Sequence, residues 1–439
     1  MILVREEFLH YLWKFQFFTP KKLRTNNNLS IQILKAGEHN LNSGPDFFNA
    51  KVSIDHQLWA GNVEIHVKSS DWYLHQHEKD SSYDNVILHV VWQHDVDIYR
   101  ENNSVIPTLE LQEITPPDVL LNYHQLFSKK SKYIYCENDI SKVDKFTLNN
   151  WLEKLYIEKL VHKSTLISNL LAKTNNDWEA VLFKLLAKNF GLKVNGDAFL
   201  NLANSFEYSF LRKEQSKLQR IEALLFGQAG LLQEDHHGRY FEDLKKEYQF
   251  LSLKYGLDPL YKNQFQFFRL RPNNFPTVRI AQLANLYFVH KNLFSKILEL
   301  KNLKDYYAIL AIATSEYWKT HYNFTSISKK SSKSLTKSFM DLLLINTIIP
   351  LLFVFDKISG KLDEEKLFDL IKQIKPEKNT IIREFDKLNI KAENAFETQA
   401  LLHMKSEYCD KHLCMQCSIG NVLLRKKDNR IEKLTSPSG

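Results

Sequence analysis

The spacing of apolar residues changes period once along this chain, near residue 145, and no other feature limits its possible folds as much. From Leu29 to about Glu113 apolar residues recur at every second position: Leu29, Ile31 and Ile33; Val63, Ile65 and Val67; Val86, Leu88 and Val90. A period of two puts each set on one face of a strand. Turn-forming runs at Asn42-Ser43-Gly44-Pro45, Ala60-Gly61-Asn62 and Ser81-Ser82 separate these strands. Ahead of them, residues 5–18 read as an amphipathic helix ended by Thr19-Pro20. From Phe146 onward the spacing becomes i, i+3, i+4, as in Leu152, Leu155, Tyr156, Lys159 and Leu160, and in Trp178, Val181, Leu182, Leu185 and Leu186. Further helices are expected over 219–226, 240–255, 278–290, 304–313, 337–355 and 364–373, with Gly and Pro between them.

The class is therefore α+β. A mixed-sheet domain is expected over 1–145 and a larger all-α domain over 146–424, ending in a cysteine–metal knot; 425–439 form a flexible tail. A length of 439 residues suits two or three domains. With 44% hydrophobic and 25% charged residues, wholesale disorder is excluded. The polar run 329–337 (KKSSKSLTK) is expected to be a mobile surface loop. The N-terminus, MILVREEFLHYLW, is charged too early for a signal peptide, and 342–355 is too short and interrupted to span a membrane. The expectation is a cytosolic protein without a membrane partner. Its net charge of +8 is compatible with a polyanionic partner.

The front domain holds the first chemical candidate. On a strand, Glu64, His66 and Lys68 share one face while Val63, Ile65 and Val67 share the other. Ionisable side chains in a row on an apolar strand are costly unless that face is solvated or functional. Asp46 closes the turn some eighteen residues earlier. Two such carboxylates hold a hard divalent cation, Mg2+ or Mn2+, and a basic neighbour positions water or phosphate. The arrangement resembles the PD-(D/E)XK nuclease superfamily, with its α-β-β-β-α-β core. Pro45-Asp46 matches the first acidic element and Glu64 the second; Glu6 or Glu7 matches the helical acid of some members. The Lys position holds His66 instead, with Lys68 one pleat further. The resemblance, confined to about 1–115, implies Asp46 and Glu64 as metal ligands and His66 or Lys68 as the third catalytic group.

His66, His75, His77, His89 and His94 fall within thirty residues. As a group they permit a different site, in which His75-x-His77 holds zinc or iron for small-molecule chemistry. Trp72 and Tyr83 suit either base stacking or the core.

Near the end, Cys409, His412, Cys414 and Cys417 form C-x2-H-x-C-x2-C, a set able to hold a structural zinc ion, with Cys136 as the alternative fourth ligand. One distant and three close cysteines also resemble the iron–sulfur nucleases, which implies a cluster as the other occupant. Arg269, Arg271 and Arg279 crowd a proline-shaped loop and suit phosphate oxygens. Gly227-Gln228-Ala229-Gly230 reads as a tight helix–helix connection, lacking the spacing of a phosphate loop. Across nearly its whole length the chain resembles an uncharacterised bacterial family classed as a domain of unknown function, on 61–72 (GNVEIHVKSSDW), 226–232 (FGQAGLL), 269–280 (RLRPNNFPTVRI) and 408–420 (YCDKHLCMQCSIG). The expected function is a divalent-metal-dependent nuclease or nuclease-like nucleic-acid-binding protein. The rival is a non-catalytic nucleic-acid or protein-binding scaffold carrying a structural zinc.

Overall fold

A computed structural model describes residues 4–19, 23–100, 102–127, 133–234 and 236–426. The chain is α+β and divides into two compact units. The first comprises Met1–Leu152, Arg383–Lys391 and Leu402–Gly439; the second comprises Glu153–Ile382 and Ala392–Leu401. The cysteine segment thus belongs with the sheet and not, as its position in sequence suggested, with the helical domain. The physical reason is apolar burial: Leu424 is buried in the sheet's own core, with Cys136, Cys414, Met415 and Leu423 packed against it.

The first unit begins with α1 (Glu6–Phe15), whose Glu6 and Glu7 suit the positive end of the helix dipole. Gln16 stops it in a left-handed conformation (φ 53°), so that its last residue, Phe15, falls three residues short of the expected end; Pro20 lies outside the described residues. The strands are β1 (Ile31–Lys35), β2 (Glu38–His39), β3 (Phe47–Ile54), β4 (Gln57–Lys68), β5 (Val86–Gln93) and β6 (Thr108–Glu110). They form one sheet in the order β1-β3-β4-β5-β6, with β2 on β3. β1, β3 and β4 are antiparallel neighbours, whereas β5 runs parallel to β4 and β6 parallel to β5. A parallel return needs a crossover, supplied here by α2 (Asp71–Leu74) and two short 3-10 turns at His77–Lys79 and Ser81–Tyr83.

Phe8, Leu9, Leu12 and Trp13 of α1 share one core with Val63 and Ile65 of β4 and with Tyr123 of α3 (Pro117–Phe127). Burying each such side chain is worth roughly 1.5–3 kcal/mol, so α1 is fixed over the sheet beside β4. Trp72 and Tyr83 lie in a second, smaller core with Val86, Ile98 and Ile106, which excludes the base-stacking role for them.

The second unit is helical, and the helices observed at Leu218–Gln228, Arg239–Tyr255, Pro276–Val289, Leu303–Leu310 and Glu364–Lys372 follow the 3.6-residue pattern closely. The apolar run 337–358 is long and apolar enough to cross a membrane, yet 67% of its most apolar window is buried inside the protein. It is a core helix with a π-turn at Leu344–Ile348. The run 329–337 is not the loose loop its composition suggested. Lys333 is buried, donating to the Trp318 carbonyl, and Leu335 is buried two residues on. Of the expected tail, Arg425 completes the helix Ser418–Arg425, and 427–439 lie outside the described residues.

Candidate active site

The antiparallel register of β3 on β4 pairs Phe47 with Val63, which sets Asp46 opposite Glu64. The two acids are locked together through the backbone. The Asp46 N–H donates to Glu64 Oε2 at 3.1 Å, and the Ile65 N–H donates to Asp46 Oδ2 at 2.9 Å. From α1, His10 Nε2 lies 3.2 Å from Asp46 Oδ2 and 3.8 Å from Glu6 Oε1. Ligand atoms of Glu6, His10 and Asp46 all fall within 4.8 Å of one another. Glu7, by contrast, faces solvent.

On the other side of Glu64 stands a row of imidazoles. Glu64 Oε1 is 3.3 Å from His77 Nε2 and 3.6 Å from His66 Nε2. His66 Nδ1 shares a 2.8 Å hydrogen bond with His89 Nε2, and His66 Nε2 shares one of 3.1 Å with His75 Nδ1. His66, His75 and His77 form a second set of three ligand atoms within 4.8 Å. His77 stacks on Tyr83 with ring centroids 3.8 Å apart. The cluster runs from a buried floor of His66 and His89 to exposed His75 and partly exposed Glu6 at the rim. His89 Nδ1, at the closed end, has no hydrogen-bond partner among the described residues. A lone pair there costs less than an orphaned N–H, so each ring along the row donates outward, from His89 through His66 to His75.

The electrostatics follow from burial. Glu64 is pushed up to about 9 by desolvation and then by the Asp46 charge. His66 is pushed down to about 3 by desolvation, with His77 and His75 adding to it. His89 is driven well below the usual imidazole value by complete burial. Burial also works against charge on His10, but the hydrogen bond and charge of Asp46, with Glu6, outweigh it and its pKa is raised. The metal-free cluster therefore carries a neutral Glu64 and a neutral His66 at pH 7.

This predicts a pH signature. Between 4.5 and about 9 the folded chain keeps the Glu64 proton that the unfolded chain has released, so this group's contribution to stability falls as pH rises. Glu64→Gln should flatten that slope and raise the melting temperature of the metal-free protein, more at pH 8.5 than at pH 5. A wild-type-minus-variant difference independent of pH would contradict the neutral-Glu64 assignment.

Of the residues singled out by pattern, Asp46, Glu64 and His66 are brought together and Lys68 is not. β4 ends at Lys68, two residues beyond His66; its side chain is exposed, acts on Asp95, and its backbone N–H donates to Asp71. His10 was missed, though its position four residues after Glu6 puts both on one helical face. In the second unit, Arg269 and Arg271 are exposed but Arg279 is not available to phosphate. Arg279 is only 7% exposed, and its guanidinium donates to Gln282 and Asn274 and lies 3.6 Å over the Phe339 ring, because the helix Pro276–Val289 turns that position inward.

Cys136, Cys409, Cys414 and Cys417 line one small cavity of about 20 Å³, together with apolar groups including Leu126, Ile134 and Met404. His412 does not line it. Its backbone is left-handed (φ 58°), its side chain is exposed, and its ring packs against Tyr135 with centroids 4.9 Å apart. Cys136 takes the place that the local spacing offered to His412. Gly420 helps to hold the cysteine loop, since a Cβ there would lie 1.9 Å from the Cys414 carbonyl oxygen.

One family model, described as a protein of unknown function (DUF2851), matches residues 6–380. No curated protein and no solved structure matches the chain.

Proposed function

We propose, for a chain that belongs to the DUF2851 family of proteins of unknown function, that its sheet-bearing unit is a divalent-cation-dependent phosphodiesterase acting on nucleic acid. One observation carries this reading: the ligand atoms of Glu6, His10 and Asp46, from a helix and a turn, lie within 4.8 Å of one another at a partly open point, and Glu64 on the adjoining strand accepts from the Asp46 backbone N–H beside them. With the two-residue β2 set aside, the element order α1-β1-β3-β4-α2-β5 supports it, following the α-β-β-β-α-β order of the nucleases that the chain resembles. The donor set fits a cation. A buried Glu64 held neutral by desolvation and a nearby Asp46 would release its proton once a positive charge is supplied. Carboxylates suit Mg2+ and Mn2+, and the adjoining imidazoles favour Mn2+. Such a cation polarises a phosphoryl oxygen and acidifies water.

The chain's own residues do the rest. Asp46 and Glu64 would hold the cation with Glu6, while His10 stands beside the Asp46 carboxylate and fixes it. His66 stands where the superfamily has lysine. Its low pKa keeps it neutral, so it serves as a hydrogen-bonding group and not as a cation. The row His66–His75 leads a proton from the buried floor toward solvent. Lys68 has no part in the cluster. Exposed Arg269 and Arg271 offer phosphate contacts on the second unit, and contacts of that kind make affinity fall steeply with salt. The site of action is the cytosol.

The test is cleavage of plasmid and single-stranded DNA or RNA by the full chain. Mn2+ or Mg2+ should support cleavage and a chelator should stop it. Salt-sensitive binding with no cleavage under either cation would overturn the enzymatic reading in favour of a scaffold. A second reading rests on the three converging imidazoles of His66, His75 and His77: zinc or iron bound there would serve small-molecule chemistry. Stoichiometric transition metal lost on His75→Ala, with no nucleolytic activity, would favour it.

A further inference from the structure

We infer that the loop 257–275 of the second unit is a binding platform for single-stranded nucleic acid, with Tyr261 and Phe268 stacking on bases and Arg269 and Arg271 holding phosphates. The inference rests on the nucleic-acid part of the function proposed above and adds which form of nucleic acid is taken. Tyr261 is 79% exposed and Phe268 80%, the two most exposed aromatic side chains among the described residues of that unit. Arg269 and Arg271 follow Phe268 and are exposed as well, and among the described residues neither has an ion pair. The Arg269 guanidinium lies 5.2 Å from the centre of the Phe268 ring. From Pro259 to Phe275 the cations are Lys262, Arg269 and Arg271, and there is no Asp or Glu. An ion pair with Glu234 takes up Lys262 and leaves both guanidinium charges uncompensated.

The exposed rings stand on an anchored segment. Phe265 is buried against Phe199 of the helix Leu192–Asn204, with ring centroids 5.6 Å apart, and Phe267 packs edge-on against Phe275. Buried Asn195 of the same helix holds the Gln266 backbone at both its groups. Its amide donates to the Gln266 carbonyl at 2.9 Å, and its oxygen accepts from the Gln266 N–H at 2.8 Å. Ahead of Tyr261, the Leu260 N–H donates to the Gln228 carbonyl at 2.8 Å. Arg269 is held in a left-handed backbone (φ 61°), a costly conformation for a residue with a Cβ. A loop fixed in this way loses little freedom when a ligand settles on it.

Charge and shape together select the partner. Every base has a π-face and every linkage a phosphate, so rings interleaved with guanidinium groups suit a single strand of any sequence. A duplex keeps its base faces stacked inside and presents only base edges and backbone. A lipid surface takes up a continuous apolar face, whereas here exposed Asn263, Gln266 and Asn273 separate the apolar residues. Those amides carry donors and acceptors that match base edges.

The test uses the full chain in EDTA, so that binding is read without cleavage. Labelled oligo(dT) should bind more tightly than a duplex of the same length. Phe268→Ala and Tyr261→Ala should each weaken single-strand binding roughly 5- to 150-fold and leave the melting temperature unchanged, since both side chains are exposed. Ile358→Ala, at an exposed apolar position on the end of the core helix, should keep the wild-type affinity. Arg269→Gln should lower the slope of log affinity against log salt by about 0.7, the share of one phosphate contact on a single strand. Wild-type affinity in both aromatic variants, an equal loss in Ile358→Ala, or equal or tighter binding of the duplex would each overturn the proposal. So would loss of binding to phosphatidylglycerol vesicles in the aromatic variants while oligo(dT) binding persists, which would make the loop a lipid contact. A chain that binds single strands through this loop yet cleaves nothing with Mn2+ supports the proposal and refutes the phosphodiesterase reading alone.

Discussion

Asp46→Asn should leave the fold intact and remove cation-dependent cleavage by at least about 100-fold, since even substitutions one shell outside a metal's ligands cost 10–100-fold. The asparagine side-chain oxygen still accepts from the Ile65 N–H, and the Asp46 backbone N–H still donates to Glu64, so the β3–β4 register is kept. Two things change. One negative ligand is lost, and the charge that raises the Glu64 pKa is removed, so Glu64 ionises more easily in the metal-free protein. The measurement is the cleavage rate against Mn2+ concentration, beside a melting curve with and without cation. Wild type should melt at a higher temperature with Mn2+, more so at pH 8.5 than at pH 6, because binding releases the Glu64 proton. The variant should show neither shift. Cleavage at the wild-type rate in Asp46→Asn would remove the site from the chemistry altogether.

Gly227→Ala should destabilise the second unit by about 1–3 kcal/mol or more, the usual cost of overpacking. Gly227 lies on the helix Leu218–Gln228 where the helix Arg239–Tyr255 crosses it, and a Cβ would come within 2.0 Å of the Tyr248 ring. The ring has little freedom to yield. It is buried, and its hydroxyl donates to Gln228 Oε1 at 2.9 Å, one residue from the glycine itself. Gln228 in turn donates to the carbonyls of Ser205 and Asp258, so moving Tyr248 disturbs three segments. Thermal unfolding followed by circular dichroism should show a melting temperature several degrees lower; an unchanged value would mean that the two helices separate at no cost. The sequence gives no warning of this, because Gly227 reads there as part of a connection between helices.

How much was legible in advance depends on the range of the interaction involved. Strand and helix periods are local, so β4, β5 and the helices of the second unit were readable from side-chain spacing. So was the pair Asp46 and Glu64, because a short antiparallel connection between β3 and β4 brings opposed residues together. Lys68 was misplaced because alternation fixes the face of a strand but not where the strand leaves the site. Arg279 was misplaced because three arginines around a proline loop look equivalent until the helix Pro276–Val289 is packed and one of them faces inward over Phe339. The same limit explains His10, which joins the acids only once α1 is laid beside β4.

The sequence by itself determined the α+β class, the position of the change from strands to helices, and which residue types carry chemistry, since each depends on neighbours a few residues apart. Only tertiary structure decided the fourth partner of the cysteine cluster, the row of histidines behind Glu64, and the protonation of that carboxylate. Those depend on contacts across tens to hundreds of residues and on exclusion of water, and no local spacing encodes either.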